Sequence, residues 1–186
     1  MAGKVPKRIE QDPNVKRQKD LDARWTKKNK ERYYGYKNHV CIDNKHKLIR
    51  EYQVTSAEVH DSQVFTELLG DNSSKDVWAD SAYYSEEVEI TLDVMGYRSH
   101  VHKKGYRGKP LSEYEKEVNH RKSKIRARVE HVFGAIENEL GGMFVRTIGL
   151  ARASVKVGMM NLVYNIRRFV SLYGAISAYS MKSGIK

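Results

Sequence analysis

Residues 76–81 read Asp76-Val77-Trp78-Ala79-Asp80-Ser81, a short apolar run that stops on a carboxylate. A run of this kind suits a buried strand, and in open α/β sheets ligands gather at the carboxyl ends of the strands. Asp80 is therefore the first candidate for chemistry, although Asp and Ser also end strands simply as turn or cap residues. Downstream, Ser85 to Met95 carries a Ser cap, acids in its first turn and Gly96 behind it, which predicts a short helix. Tyr97 to His102 predicts a further, weaker strand. Upstream, Val64, Phe65, Leu68 and Leu69 mark a helix with Asp61 as its expected cap and Gly70 as its stop. Before that, Tyr33 to Ile42 (YYGYKNHVCI) sets Tyr34, Tyr36, Val40 and Ile42 on one side, and Leu48 to Val54 is a second β-rich run. The turn-forming Asp43-Asn44-Lys45-His46 between them predicts an antiparallel hairpin.

Beyond the short elements lies Lys103 to Pro110 (KKGYRGKP), a basic loop, then Ser112-Glu113-Tyr114-Glu115, a capping box that opens a helix running to about Leu140. Gly141-Gly142 ends it. A final amphipathic helix carries Val155, Met159, Leu162, Ile166, Phe169, Val170 and Tyr173 at spacings of three and four, the pattern of a core-facing stripe. The expected order is β-β-α-β-α-β-α-α, an α/β domain. Residues 1–32 show no period and read as a basic, loosely ordered arm; 33–170 form the expected domain and 171–186 a tail.

The chain has 186 residues, a net charge of +11 and one cysteine, which excludes a disulfide framework and a Cys-rich zinc site. No run approaches the roughly 18 apolar residues of a membrane span, and the first residues lack the apolar centre of a secretion signal. A location inside the cell, with no membrane partner, is the expectation. The charge is uneven. Residues 1–32 hold 11 basic against 5 acidic residues, 33–102 hold 6 against 12, and 103–168 hold 15 against 6. An acidic middle between basic flanks is either a solvated face or a place to hold divalent metal beside a bound nucleic acid.

Glu130 is the second candidate. At roughly 100° per residue, Val129, Val132, Ile136 and Leu140 fall within about 60° of Ile125 and define a buried stripe. Glu130 sits at about 140°, on the rim with Arg126, Phe133 and Glu137. A rim carboxylate can reach the end of a neighbouring strand, or make an ordinary ion pair with Arg126 four residues before it. Carboxylates from two elements can hold divalent cations, and a pair of such ions clamps the attacking and leaving oxygens in phosphoryl transfer. Arg121, Lys124 and Arg128 on the same helix, with Lys103, Lys104, Arg107 and Lys109 in the loop before it, are candidate phosphate binders. The histidines, including His60, His100 and His102, lack the context of a zinc site. No nucleophile-elbow, P-loop or dinucleotide-binding glycine signature is present.

Five ordered blocks carry a wider likeness. They are Asp22-Ala23-Arg24-Trp25-Thr26-Lys27-Lys28, Tyr34-Gly35-Tyr36-Lys37-Asn38-His39, Val59-His60-Asp61-Ser62, Trp78-Ala79-Asp80-Ser81-Ala82-Tyr83 and Arg126-Ala127-Arg128-Val129-Glu130-His131-Val132-Phe133-Gly134. Arg146-Thr147-Ile148-Gly149 and Asn161 to Arg168 extend it. From about residue 18 to 170 the sequence resembles bacterial DDE transposases of the insertion sequence five group. The resemblance implies a ribonuclease H-like fold with a mixed sheet flanked by helices, in which three acids bind two Mg²⁺ or Mn²⁺ ions to cut and join DNA. By position Asp80 matches the second acid and Glu130 the third, so both are implied as catalytic and metal-binding. DNA, as transposon ends and target, is the implied partner, with a homo-oligomer or an intact transposase as further partners, and the bacterial cytoplasm and nucleoid as the location.

The family's first acid belongs on a central strand before the hairpin. Residues 1–32 contain no apolar β-rich run ending near an Asp: Asp20 and Asp22 lie in the charged KRQKDLDARW, Asp43 in a turn, and Asp61 at a helix cap. The expectation is a sheet lacking its first central strand, in the C-terminal part of a transposase from a truncated or split frame, inactive alone. Two alternatives are a non-catalytic DNA-binding or transposase-interacting remnant and a chain that receives its first acid from another polypeptide.

Overall fold

The computed structural model describes residues 9, 11–28, 30–70, 72, 74–142 and 144–183, with backbone alone at 28 and 175–183. The first eight residues of the expected arm and the last three of the expected tail lie outside it. The hairpin forms as its alternation predicts. Strand β2 (Glu31–Ile42) pairs antiparallel with β3 (Ile49–Ser56), from Tyr36 opposite Ser56 to Cys41 opposite Glu51, with a bulge at Cys41/Ile42. Asp43 builds the turn by accepting from the Lys45 and His46 amides at 3.0 and 2.9 Å, and Lys47 takes the left-handed conformation that closes it.

The supposed arm holds more order than its sequence advertises. After a short helix α1 (Pro13–Arg17), Arg24–Lys28 form strand β1, antiparallel to the start of β2. Five residues, three of them charged, are too few to show a period, but Trp25 lies opposite Tyr34 with ring centroids 5.1 Å apart, a cross-strand aromatic pair. Asp20 anchors what precedes. Its carboxylate accepts from the Tyr36 hydroxyl at 2.7 Å, the Gly149 amide at 3.2 Å and the Asp22 and Ala23 amides at 3.1 Å, while Asp22 accepts from the Leu150 amide at 2.9 Å. Burial alone would raise the Asp20 pKa, but these hydrogen bonds outweigh it and hold the pKa below the ordinary value. A lowered carboxylate stabilises the fold above the unfolded-state pKa and loses that contribution as pH falls through the folded value. Asp20→Asn is thus expected to cost about 1 to 2 kcal/mol at neutral pH in urea unfolding, a difference that narrows below about pH 4.

The second sheet is small and parallel. Strand β4 (Asp76–Val77) pairs with β5 (Arg98–Ser99), and the ladder continues as the His100 and His102 amides donate to Val77 and Ala79 at 2.8 and 3.1 Å. Between the strands runs α3 (Glu86–Val94), capped by Ser85 as expected. Before them, α2 (Phe65–Leu69) follows a 3₁₀ turn, Asp61–Val64. Here the expected cap is corrected: His60 caps the turn, because the Asp61 carboxylate is taken by the Lys37 ammonium at 2.9 Å. Phe65, Leu69, Val77, Val88, Leu92 and Val101 make one core.

Helix α4 (Glu113–Leu140) begins at the capping box and ends on left-handed Gly141; α5 (Leu150–Ser183) follows and continues through most of the expected tail. Val132 and Ile136 of α4, Ile49 of β3 and Tyr164 of α5 make a second core. The buried side of α5 is Ala153, Val157, Met160, Asn161 and Tyr164, so the stripe from Val155 to Tyr173 expected to face the core points outward instead. The reason is polar: Asn165 both donates to and accepts from Ile49 backbone at 2.8 Å, and Tyr164 donates to the Lys47 carbonyl at 2.8 Å. Satisfying strand backbone fixes the helix's rotation against the larger apolar side.

The fold is thus mixed α/β, but the described strands form two sheets, β1–β2–β3 and β4–β5, with no ladder joining them. Between them lies a cleft of about 2270 Å³, lined by Tyr36 to Asp43 on one side, Val77 to Asp80 on the other, and α4 residues including Ile125, Val129 and Phe133. Hence only Val132 and Ile136 of the α4 stripe are fully buried.

Candidate active site

Asp80 and Glu130 meet at this cleft. Asp80 ends the β4 ladder, where its Oδ1 accepts from the Ser81 amide at 2.6 Å as the cap of a 3₁₀ turn, Ser81–Tyr83. Its Oδ2 lies 3.6 Å from Arg126 Nη1, and Arg126 Nη2 donates to Glu130 Oε1 at 2.6 Å. One guanidinium therefore bridges the two carboxylates, both about half exposed. Capping and pairing, the two ordinary roles open to these residues, are both realised, and the same contacts draw the acids together from a strand end and a helix rim.

The ring around the pair is tuned by burial. The His102 pKa is lowered, first by burial and then by the Arg126 charge, with Asp80 opposing, and its Nε2 is buried without a partner among the described residues. The Arg126 Nε is likewise buried and unpaired. Lys122, whose pKa burial also lowers, donates to the Val101 carbonyl at 2.9 Å. Burial, with the nearby charges of Asp61 and Asp80, raises the Tyr83 pKa. Sequence reading missed Arg126 as a bridge and His102 as a neighbour. The first left a signal in its spacing four residues before Glu130, but the second depends on the parallel register of β5.

The other acids are engaged elsewhere: Asp20 and Asp22 at the start of α5, Asp43 in its turn, Asp61 with Lys37 and, at 3.9 Å, His39. Among the described residues no three His, Cys, Asp or Glu side chains form a group able to hold a metal ion. Mg²⁺ retains water and is commonly held by one or two carboxylates plus substrate phosphates. The half-exposed Asp80 and Glu130 oxygens fit that demand for one hydrated ion, in competition with Arg126.

The basic candidates divide. Lys104, Arg107 and Lys109 are exposed on the loop, which Tyr106 and Lys109 pinch by mutual backbone hydrogen bonds of 3.0 Å. Lys103 pairs with Glu115 at 3.2 Å and Arg121 lies 3.9 Å from Glu117, while Lys124 is exposed on α4. Arg128 is turned to structure: its guanidinium donates to the Asn44 carbonyl and, at 3.0 Å, to the Asn44 side chain, tying α4 to the β2–β3 turn.

A strand-end acid and a helix acid thus meet at one cleft, with a basic loop and helix in the same chain, and comparison with known proteins gives the family. The Transposase DDE domain family matches residues 12–166, and the chain belongs to it. It is 30% identical over 149 residues to the transposase for insertion sequence element IS1106 of Neisseria meningitidis serogroup B, a match covering 80% of this chain and 51% of that protein. The chain thus spans about half the length of this curated relative. No solved structure matches it. The likeness to bacterial insertion-sequence DDE transposases is therefore shown at the level of the family. Among the described residues no helix is long and apolar enough to cross a membrane.

Proposed function

We propose that this chain is the C-terminal part of a DDE transposase of the insertion sequence five group, with a ribonuclease H-like core, acting on transposon ends and target DNA. Asp80 and Glu130 are its second and third acids. The observation that carries the reading is the meeting of these two carboxylates on Arg126, at a cleft between two sheets that share no ladder. Bound Mg²⁺ or Mn²⁺ would supply activation of water and of the 3′-hydroxyl. Asp80 and Glu130 would hold the ion, and Arg126 would leave their oxygens or turn to a phosphate.

Strand β1 pairs only with Glu31 to Gly35, so Tyr36 to Ile42 of β2 have a single ladder, to β3; that stretch and β4, both lining the cleft, are suited to a strand from outside this sequence, which would bring the first acid and join the sheets. Until then the two-ion site is incomplete, and the chain alone is inactive. Arg126 lying where a cation would bind favours a second reading as well, a non-catalytic protein that binds DNA or an intact transposase in the cytoplasm.

Both readings require a DNA path. Lys104, Arg107, Lys109, Arg121 and Lys124 form it, with Lys103 beside them and Arg128 as a structural tie. The test is DNA binding measured across a salt series. Changing Lys104, Arg107 and Lys109 together to Ala is expected to weaken binding and to reduce the slope of log affinity against log salt by about 3. An unchanged slope sinks the path, and no salt-dependent binding by the unaltered chain sinks the function.

A further inference from the structure

The ribbon made by β1 and the start of β2 has two faces, and the fold uses one of them. Side chains two apart along a strand share a face, and residues opposite each other across a ladder share it too. Arg24, Tyr33 and Glu31 therefore lie on one side, where Tyr33 donates to Glu31, and Arg24 pairs with Glu58 at 3.4 Å and donates to the Ala23 carbonyl at 3.0 Å. On the other side Trp25 lies opposite Tyr34 and Lys27 opposite Arg32, two rungs of one face. All four of these side chains are exposed, Trp25 at 65% and Tyr34 at 52%.

Over these two rungs the face holds two aromatics, two cations and no acid. Among the described residues Lys27 and Arg32 make no ion pair, and Trp25 makes no side-chain hydrogen bond. Tyr34 is anchored, because its hydroxyl donates to the Asp20 carbonyl at 2.9 Å, which fixes the ring while leaving it half exposed. The two rings meet at an angle of 49°, so neither covers the other's face completely. Lys30, at the turn of the ribbon, adds a further exposed cation.

That mixture selects its ligand. An apolar protein surface leaves the cations without a counterpart, and a DNA duplex keeps the faces of its bases stacked on one another, out of reach of a ring. A single strand offers both unstacked bases and phosphates, and proteins that hold single strands combine a basic track with aromatic platforms. The two rungs are separated by two residues along each strand, about 7 Å. One nucleotide can therefore lay its base on an aromatic rung and set its phosphate against the cationic one. Lys27 and Tyr34 also line the cleft at which Asp80 and Glu130 meet, so the face opens onto that cleft.

We propose that Trp25, Lys27, Arg32 and Tyr34 form a binding site for single-stranded DNA, with unpaired bases stacked on the two rings. The site is separate from the path of Lys104, Arg107 and Lys109, which meets phosphates whether or not the bases are paired, and it does not depend on the catalytic reading. Its test is titration of the full chain with a thymidine homopolymer, followed by tryptophan fluorescence, beside an abasic strand of equal length and a duplex of equal charge. The homopolymer is expected to quench the fluorescence and to bind about tenfold more tightly than the abasic strand, which has the phosphates alone. Trp25→Leu keeps an apolar side chain without the ring, and is expected to lose about tenfold in affinity for the homopolymer and most of the quench, with duplex affinity unchanged. Trp25→Phe is expected to recover most of that affinity. Trp78, the other tryptophan, remains in both variants as the reference signal. A homopolymer bound by the unaltered chain no more tightly than the abasic strand overturns the proposal whatever the variants do, because charge alone then accounts for binding. A Trp25→Leu chain that folds and keeps both affinity and quench overturns it as well. So does one that loses duplex and single-strand binding alike, because the ribbon is then a general contact to phosphates.

Discussion

Incubated with Mn²⁺ and supercoiled DNA bearing insertion-sequence ends, the purified chain is expected to leave the DNA uncut. Adding a polypeptide that carries the preceding half of a family transposase is expected to raise nicking at least ~100-fold, and Asp80→Ala in this chain is expected to abolish the gain. Two-ion phosphoryl transfer needs both ions fixed, and two half-exposed carboxylates shared with a guanidinium fix at most one. The cleft has the room for a strand, and its walls include the β2 residues Tyr36 to Ile42 and the end of β4. A strand seated there would bring its own carboxylate toward Asp80. Robust nicking by the chain alone, lost in Asp80→Ala, would overturn the claim of incompleteness while supporting the site.

The largest effect on folding is expected at Val132. This side chain is fully buried between β3 and α5, against Ile49, Ile136 and Tyr164. Val132→Asp would place an unpaired carboxylate where α4, α5 and the hairpin meet, a cost above about 4 kcal/mol in a domain stable by about 5 to 15. Loss of cooperative thermal unfolding by circular dichroism is the expected readout. Exposed Val94, on α3, provides the comparison: Val94→Asp is expected to change stability by about 0.5 kcal/mol or less. Equal behaviour of the two variants would show that the second core does not hold the helices to the sheet.

Much of this arrangement was legible in the residues. The hairpin, the Ser85 and Ser112 caps, the Gly141 stop and the acid at the end of β4 each follow from a local rule, and local rules survive in the folded chain. What escaped depends on partners distant in sequence. Strand β1 exists because Tyr34 and Gly35 lie opposite its residues, and Asp20 matters because it reaches Gly149. The α5 stripe has the spacing of a core face, yet Asn165 and Tyr164 turn the other side inward by bonding strand backbone. For the site, the sequence offered Asp80 and Glu130 as candidates and left open whether Glu130 pairs with Arg126 or reaches a strand end. In the folded chain Arg126 reaches both carboxylates.

The central claim is that Asp80 and Glu130 together hold the catalytic cation, and binding of Mn²⁺ to the full chain, followed by electron paramagnetic resonance, tests it without requiring turnover. The unaltered chain is expected to show one weak site, lost in both Asp80→Asn and Glu130→Gln and tightened in Arg126→Gln, which removes the competing charge. Mn²⁺ binding that is the same in all four proteins would contradict the account.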